Sequence, residues 1–275
     1  MSAVAGRIAR AFQGARAEGR PLVIPYLTVG FPTLEETLDL VLAIEAAGVD
    51  ALELGLPFSD PLADGPVIQA ASQEALAHGA TLAAAFDIVR AVRRRSQLPL
   101  LFMGYANPMY RHGLSRFIHV MSEAGVDGLI VPDLPLEESA EARSACVEAG
   151  VSWVPLVAPT TPVERIRRLD EVATDFTYCV ALTGVTGARA ELDPALPAYL
   201  DRVAGAVSRP FVVGFGISRP DQVAAICPPA AGAVIGSALL RELRGAVAGS
   251  SERRAAVTSF LAPFRQRFRT GGSAC

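Results

Sequence analysis

Eight short apolar runs recur along the chain, each followed by a stretch with helical spacing, and this alternation restricts the fold more than any other feature. Strands that are apolar on both faces are typical of parallel strands covered by helices. Eight such units predict a closed (β/α)8 barrel, the TIM barrel of the α/β class. The predicted strands are Val23–Thr28, Ala51–Leu56, Leu100–Tyr105, Gly128–Val131, Trp153–Ala158, Phe176–Leu182, Phe211–Gly214 and Gly232–Ile235. The predicted helices are Leu34–Ala47, Leu82–Arg95, Leu114–Ala124, Glu137–Ala149, Pro162–Val172, Pro194–Val207, Pro220–Cys227 and Ala238–Arg244.

The two ends of the chain predict further helices outside the eight units. Apolar residues within 1–20 fall at helical spacing, at Ile8, Ala11, Phe12 and Ala15. This pattern favours an amphipathic helix that covers one end of the barrel over an Arg-rich transit peptide. Residues 245–275 are expected to form a C-terminal helix and a frayed tail. Because no Ser/Gly-rich linker divides residues 1–275, we expect a single domain.

A doubly wound open sheet is the alternative architecture. That fold usually carries a GxGxxG turn after its first strand. Here the first predicted strand runs into Thr-Val-Gly-Phe-Pro instead. The sequence therefore favours the barrel, whose active sites lie at the carboxyl ends of the strands.

All 25 basic residues are arginines, and the chain has no lysine. Schiff-base aldolases, pyridoxal phosphate enzymes and Walker-type phosphate loops each need a lysine, so these 275 residues exclude those three chemistries. The net charge of −3 offers no basic field for nucleic acid. No apolar run reaches the roughly 18 residues of a membrane span.

The cysteines and histidines form no metal-binding motif in the sequence. Cys146, Cys179, Cys227 and Cys275 are far apart, and His78, His112 and His119 lack HExxH spacing. We therefore expect no metal site, no disulfide and a cytoplasmic location.

Glu53 is the strongest anomaly in the predicted strands. Because side chains alternate across a strand, Leu52 and Leu54 should face the helices and Glu53 the barrel interior. An unpaired carboxyl group buried there would have a raised pKa, which suits general acid–base catalysis. The alternative is a structural glutamate paired with an internal arginine or a backbone group.

The proline-rich loop after Glu53 contains two aspartates, Asp60 and Asp64. A second carboxylate near Glu53 would give two acids with separable pKa values, one to donate a proton and one to stay charged. The plainer interpretation of either aspartate is a turn or helix-cap residue.

Glycines at the ends of the last two strands indicate a phosphate site. Gly214 and Gly216 follow one strand, and Gly236 and Ser237 end the next and open a helix. Loops at these positions of a barrel commonly hold phosphate, because glycine allows close approach and helix-start N–H groups attract anions. Simple turns are the alternative. The loop 183–189 is rich in glycine and threonine, which indicates either a lid or a loop without function.

The segment ALELGLPFSDPLADGPVIQ, from Ala51 to Gln69, resembles the hallmark of the tryptophan synthase alpha subunits. VPDLPLEE, TGVTGAR, VGFGIS and IGSALL follow in the order and at the spacings of that family, and the resemblance extends from about Arg20 to Arg244. It implies a lyase of tryptophan biosynthesis that splits indole-3-glycerol phosphate into indole and glyceraldehyde 3-phosphate. The family uses no imine in this retro-aldol step, in agreement with the missing lysine.

The resemblance also implies roles for single residues. Glu53 is similar to the acid–base residue that protonates C3 of the indole ring and assists collapse of the glycerol hydroxyl. Asp64 is similar to the carboxylate that stabilises positive charge at the indole N–H, and Tyr178 to an active-site tyrosine beside the glutamate. The other matching positions are Tyr26 and Ile68 for the indole pocket, Thr186 for the lid, and Gly187, Gly214, Gly216, Gly236 and Ser237 for the phosphate.

The resemblance further implies a partner, the tryptophan synthase beta subunit, which holds pyridoxal phosphate and condenses indole with serine. This chain would then need no cofactor of its own. The Asp60 loop and Asn107–Tyr110 resemble segments that face that partner.

The chain departs from the family pattern before the lid. Ala181 and Leu182 stand where members often have Ser-Arg or a similar polar pair. Three alternative functions therefore stay open: a stand-alone lyase that releases free indole, a non-catalytic regulatory subunit of a beta partner, and a phosphate-binding barrel isomerase acting on sugar phosphates.

Overall fold

Short parallel strands form one curled sheet in the computed structural model, which describes residues 6–181, 192–214 and 216–269. Nine strand segments lie in these described ranges, and they pair in the order β5-β4-β3-β2-β1-β9-β8-β7-β6. Their bounds are β1 Leu22–Thr28, β2 Leu52–Gly55, β3 Leu100–Met103, β4 Gly128–Ile130, β5 Ser152–Trp153, β6 Leu156–Val157, β7 Thr177–Val180, β8 Phe211–Gly214 and β9 Gly232–Ile235.

The sheet closes through the fifth unit of the barrel, whose strand is split in two. β5 pairs with β4, and β6 pairs with β7. Pro155, between them, has no N–H to donate, but its carbonyl accepts the Tyr178 amide at 2.9 Å, and the Val154 amide donates to the Leu129 carbonyl at 3.0 Å. The (β/α)8 barrel is therefore confirmed, whereas the continuous fifth strand Trp153–Ala158 is wrong: it is two short pieces.

Helices cover the outside of the sheet. They are α1 Arg7–Ala17, α2 Leu34–Ala46, α3 Pro66–Ala77, α4 Leu82–Arg93, α5 Ala106–His112, α6 Leu114–Ala124, α7 Ala140–Ala149, α8 Val163–Val172, α9 Leu196–Ala204, α10 Pro220–Ile226, α11 Ser237–Gly245 and α12 Ser250–Arg269, with a 3₁₀ helix at Leu136–Glu138. Thr33 and Thr81 cap α2 and α4 by accepting the amides of Glu36 and Ala84 at 3.3 and 3.1 Å. No single described helix has the length and hydropathy to cross a membrane; α3 and α4 pass that test only together, as a pair bent by 96°.

Three features of the helices differ from the prediction. Helices α3 and α5 were not predicted, and the predicted helix Glu137–Ala149 is a 3₁₀ turn followed by α7. The buried face of α3 includes Ala71 and Ala75, and alanines give a weak apolar periodicity. The expected C-terminal helix is α12.

Helix α1 lies across the amino-terminal end of the strands. Ile8 is buried, with its Cδ1 only 3.0 Å from where a Cβ on Gly128 would lie, at the start of β4. Phe12 packs on Phe176, just before β7, with 5.1 Å between ring centroids. The additional N-terminal helix is therefore confirmed, and it leaves the carboxyl end of the barrel for the site.

Candidate active site

The register of the strands places Glu53 inside the barrel. Tyr26, Glu53 and Leu101 are direct neighbours on β1, β2 and β3, so their side chains share one face of the sheet. Phe102, the next residue of β3, lies on the opposite face and packs against Phe86 of the outer helix α4, at 6.1 Å between centroids. The face shared by Tyr26, Glu53 and Leu101 is therefore the interior.

Glu53 is almost completely enclosed there, with 1% of its surface exposed. No described residue forms a hydrogen bond or an ion pair with its side chain, so the alternative of an internal arginine partner finds no support among them. Burial raises the pKa of Glu53 to about 8, and the nearby charge of Asp64 adds to the shift. Glu53 therefore keeps its proton at neutral pH.

Asp64 lies in the loop between β2 and α3, with 5% of its surface exposed. Its backbone is fixed in place: the amide donates to the Pro61 carbonyl at 3.0 Å, and the carbonyl accepts Gln69 Nε2 at 2.8 Å. Burial raises the pKa of Asp64 to about 6, and hydrogen bonding with Tyr105 opposes that rise. At neutral pH the site therefore combines one protonated acid with one carboxylate.

The two aspartates of this loop have different surroundings. Asp60 is exposed, and its carboxylate accepts the Ser59 hydroxyl. Asp64 is buried, and its Oδ1 has no hydrogen-bond partner among the described residues. A buried acceptor without a partner is uncommon in folded proteins and indicates a place for a ligand donor. Asp64 is therefore the aspartate that the structure brings to the Glu53 side of the loop.

Two tyrosines complete the interior beside Glu53. Tyr26 and Tyr178 are both buried, and burial raises the pKa of each well above its ordinary value. Glu53 and Asp64 contribute to the shift in both. The Tyr26 hydroxyl also accepts a hydrogen bond from Thr28 Oγ1 at 3.3 Å. Both phenols therefore stay neutral and line a pocket with the two acids.

Two glycines make room for these tyrosines. A Cβ on Gly55 would overlap the hydroxyl of Tyr26, and one on Gly214 would overlap the hydroxyl of Tyr178. Each glycine lies on the strand next to its tyrosine, in β2 and β8. Gly214, predicted from sequence as part of the phosphate site, thus has a packing role that the sequence did not show.

The remaining phosphate residues lie at the start of α11 and before α10. Gly216 has a φ of +87°, which favours glycine. Gly236 is the N-cap of α11 and Ser237 its first residue, and no described side chain caps this helix. The start of α10 differs, because Gln222 Oε1 already accepts the amides of Ser218 and Arg219 at 2.8 and 3.1 Å. Of these two helix starts, α11 is the one with amides free for an anion.

Ile68, in the first turn of α3, is buried in the same apolar cluster as Tyr26. The predicted lid residues Thr186 and Gly187 lie outside the described residues, as does Leu182. Ala181 is described, and its amide donates to the Gly214 carbonyl at 2.9 Å. Within the described ranges, no group of three or more His, Cys, Asp or Glu residues could hold a metal ion.

Tyr105 is a site residue that sequence reasoning missed. Its hydroxyl accepts the Ala63 amide at 3.0 Å, next to Asp64 in the chain. Burial, with the charge of Asp64, raises its pKa. The signal was present in the sequence, because Tyr105 ends the third predicted strand, where barrel active sites lie.

A β/α-barrel enzyme, with its acid–base groups near the carboxyl ends of the strands and an open helix start at the same end, is the class that this fold and site define. A family model described as tryptophan synthase alpha chain matches residues 12–268. The chain belongs to the tryptophan synthase alpha chain family.

Individual relatives agree over nearly their whole length. The tryptophan synthase alpha chain of Roseiflexus castenholzii (strain DSM 13941 / HLO8) is 49% identical over 251 residues, which cover 91% of this chain and 96% of that one. The crystal structure of the tryptophan synthase alpha chain from Legionella pneumophila subsp. pneumophila has a TM-score of 0.89 at 33% identity, covering 98% of this chain and 100% of that one. A chain of the tryptophan synthase α2β2 complex from Pyrococcus furiosus has a TM-score of 0.83 at 38% identity, covering 90% and 98%.

Proposed function

We propose that this chain is a tryptophan synthase alpha subunit, a lyase that splits indole-3-glycerol phosphate into indole and glyceraldehyde 3-phosphate. The observation that carries the proposal is the buried acid pair, in which the pKa of Glu53 is raised to about 8 and that of Asp64 to about 6. At neutral pH such a pair supplies one proton and one negative charge, which are the two things that this cleavage needs.

In the proposed reaction, Glu53 donates its proton to C3 of the indole ring. The ring nitrogen then carries positive charge, which the Asp64 carboxylate stabilises through the N–H. Glu53, now ionised, accepts the proton of the glycerol hydroxyl nearest the ring while the bond between C3 and that carbon breaks. The electron pair of this bond returns to the ring to give indole, and the hydroxyl carbon becomes the aldehyde of glyceraldehyde 3-phosphate.

The partnerless Oδ1 of Asp64 supports the role of that residue. A buried carboxylate oxygen without a hydrogen-bond donor among the described residues is matched by a ligand that brings one. The indole N–H is a donor of this kind. Because the chain has no lysine, a covalent imine is not an alternative route within these 275 residues.

The substrate phosphate is proposed to bind at the start of α11. The uncapped amides that follow Gly236 lie at the positive end of the helix dipole. Gly236 also borders the indole pocket, because a Cβ at this position would lie 3.4 Å from Tyr26 Cβ. A phosphate at α11 would thus leave the rest of the substrate next to Tyr26 and Glu53.

We infer that the partner is a tryptophan synthase beta subunit, since a relative from Pyrococcus furiosus is known as an α2β2 complex. Large apolar side chains on loops at the carboxyl end support a partner there: Leu62 is 87% exposed and Tyr110 is 47% exposed. In this proposal pyridoxal phosphate belongs to the beta subunit, this chain uses no cofactor, and the complex works in the cytoplasm.

A stand-alone lyase is the second candidate. The observation that favours it is Ala181, which with Leu182 replaces the polar pair that members of the family often have before the lid. Communication between lid and partner would be weakened by that change, and free indole would then be the product.

Indole release from indole-3-glycerol phosphate by the purified chain, with and without a tryptophan synthase beta subunit, tests both candidates. Slow release alone and strong stimulation by the beta subunit support the proposed alpha subunit. Fast release that the beta subunit leaves unchanged supports the stand-alone lyase. Absence of indole under both conditions would contradict the proposed lyase activity.

A further inference from the structure

Tyr105 connects the Asp64 loop to the end of a neighbouring strand. Its hydroxyl oxygen accepts the amide of Ala63, the residue before Asp64, at 3.0 Å. Its ring packs on Phe58, near the beginning of the same loop, at 5.3 Å between centroids. One side chain therefore holds both ends of the segment from Phe58 to Asp64.

Tyr105 is itself held on both sides along the chain. The amide of Gly104 donates to the Ile130 carbonyl of β4 at 3.1 Å. The amide of Ala106, the first residue of α5, donates to Asp133 Oδ1 at 2.9 Å. Because both neighbours of Tyr105 are bonded to β4 or to the loop that follows it, the buried tyrosine has a fixed position from which to hold another loop.

The hydrogen-bond roles leave the phenolic proton for Asp64. Since the oxygen of Tyr105 accepts the Ala63 amide, the O–H is free to donate. Hydrogen bonding with Tyr105 lowers the pKa of Asp64, against the effect of burial. Asp64 Oδ1 keeps no partner among the described residues, so one carboxylate oxygen remains for a ligand.

We propose that Tyr105 is a positioning residue for Asp64: it fixes the loop through Ala63 and binds one carboxylate oxygen, so that the other faces the substrate N–H. This inference rests on the proposed lyase function. It assigns to Tyr105 no contact with the reacting bond, only the placement of the residue that meets the indole nitrogen.

Other titratable groups surround Asp64 as well. Glu53 of β2, Tyr26 of β1 and Tyr178 of β7 each interact electrostatically with it. Removing only the hydroxyl of Tyr105 leaves these three unchanged. A change in the titration of Asp64 would therefore report on the Tyr105 hydroxyl itself.

The test compares Tyr105→Phe with Tyr199→Phe. The first variant keeps the ring against Phe58 and loses the hydroxyl. The second loses a buried hydroxyl outside the site, which donates to the Val157 carbonyl at 2.8 Å. Carboxyl-labelled aspartate, followed by ¹³C NMR and assigned with Asp64→Asn, gives the pKa of Asp64 in each protein without reference to activity.

For Tyr105→Phe we expect the pKa of Asp64 to rise by about one unit, because a hydrogen bond to the ionised form is lost. Indole release should lose about tenfold to 100-fold in kcat with less change in KM, and the acid limb of its pH profile should move to higher pH. Tyr199→Phe should change neither the titration of Asp64 nor this limb.

An Asp64 titration that is the same in Tyr105→Phe and in the unmodified chain would overturn the proposal, whatever the activity. A shifted titration in a chain whose unmodified form releases no indole would support the positioning role and contradict the lyase function. The two failures can thus be told apart.

Discussion

At the residue scale, the site depends on how differently two carboxyl groups are surrounded. Glu53 projects from a strand into the barrel interior, where burial is the main cause of a pKa of about 8. Asp64 lies in the following loop, and hydrogen bonding with Tyr105 limits its pKa to about 6. The identity of the neighbours, and not the carboxyl groups themselves, separates a proton donor from a permanent charge.

Glu53→Gln should lower the kcat of indole release by about 10²–10⁴-fold, because the amide has no acidic proton to donate to the ring. Ligand binding and the thermal unfolding midpoint should be kept, since the amide has nearly the same shape. The measurement is steady-state indole release at neutral pH. Glu35→Gln, at an exposed position of α2, is the control and should behave like the unmodified chain; near-normal turnover of Glu53→Gln would remove Glu53 from the mechanism.

The pH dependence of stability gives an independent prediction for Glu53. Its pKa is raised from 4.5 to about 8 on folding, so between these pH values the folded chain binds more protons than the unfolded chain. The free energy of unfolding should therefore fall as pH rises through this window, and Glu53→Gln should lack that part of the fall. Asp64, also raised, is present in both proteins and cancels in the comparison.

Denaturant unfolding at pH values between about 5 and 8, for the unmodified chain and for Glu53→Gln, measures this difference. The variant should gain stability relative to the unmodified chain as pH increases. Parallel curves would mean that Glu53 titrates at its ordinary pKa in the folded chain.

At the element scale, neighbouring strands fit together through glycine and tyrosine. The ring of Tyr26 reaches from β1 across to β2 and takes the space of a side chain at Gly55, and Tyr178 does the same with Gly214 from β7 to β8. Strand pairs that enclose an aromatic ring in this way depend on both residues at once. Each pair lies next to the acids of the site.

Gly55→Ala should lower the free energy of unfolding by about 1–3 kcal/mol, because the new methyl group overlaps the Tyr26 hydroxyl and forces the ring to move. In a Tyr26→Leu background the same change should cost less, since the overlapping atoms are gone. Denaturant unfolding of the four chains gives the coupling between the two positions. Additive costs would show that the ring does not occupy this space.

Gly14→Ala is a suitable control for the Gly55 experiment. This glycine lies within α1, and a Cβ there would meet no atom within 4 Å. We expect a gain of about 0.5–1 kcal/mol, because alanine loses less backbone freedom on folding.

The elements also show which parts of the fold can be predicted from the sequence. The strands Phe211–Gly214 and Gly232–Ile235 have the predicted bounds, because continuous apolar runs between turn residues are a strong local signal. The break in the fifth strand was missed, since both of its halves are apolar and the break appears only in their pairing with different neighbours. Helix α5 was missed because Pro108 and a short length hide it.

The same division holds for the site. Glu53 could be placed in the interior from strand alternation alone, and the glycines of α11 from their position after the last strand. The link from Tyr105 to Ala63 joins residues 42 positions apart, and no local pattern predicts such a contact. Packing of Tyr178 over Gly214 is hidden for the same reason.

At the scale of the whole molecule, the last helix closes the outer layer. Helix α12 packs on α2 and α11, and an ion pair between Arg253 and Glu36 joins it to α2. Phe264 is buried beneath it and packs on Phe260, at 5.6 Å between centroids. The chain thus brings its C-terminal segment back against one of its first helices.

Phe264→Ala should lower the free energy of unfolding by about 3–5 kcal/mol, the usual cost of emptying a buried phenylalanine site. Chemical unfolding followed by circular dichroism measures the change. The control is Val147→Ala, at a side chain 76% exposed on α7, which should leave stability within about 0.5 kcal/mol. A small effect of Phe264→Ala would mean that α12 is not part of the cooperative fold.

Helix α1 has a consequence for traffic through the barrel. Ile8 and Phe12 cover the amino-terminal end of the strands, so that end offers no second doorway. Substrate and both products would then share one route, past Leu62 and the Asp64 loop. A subunit seated on that route would receive indole simply because nothing can leave any other way, and the fate of the product would depend on what covers a single opening.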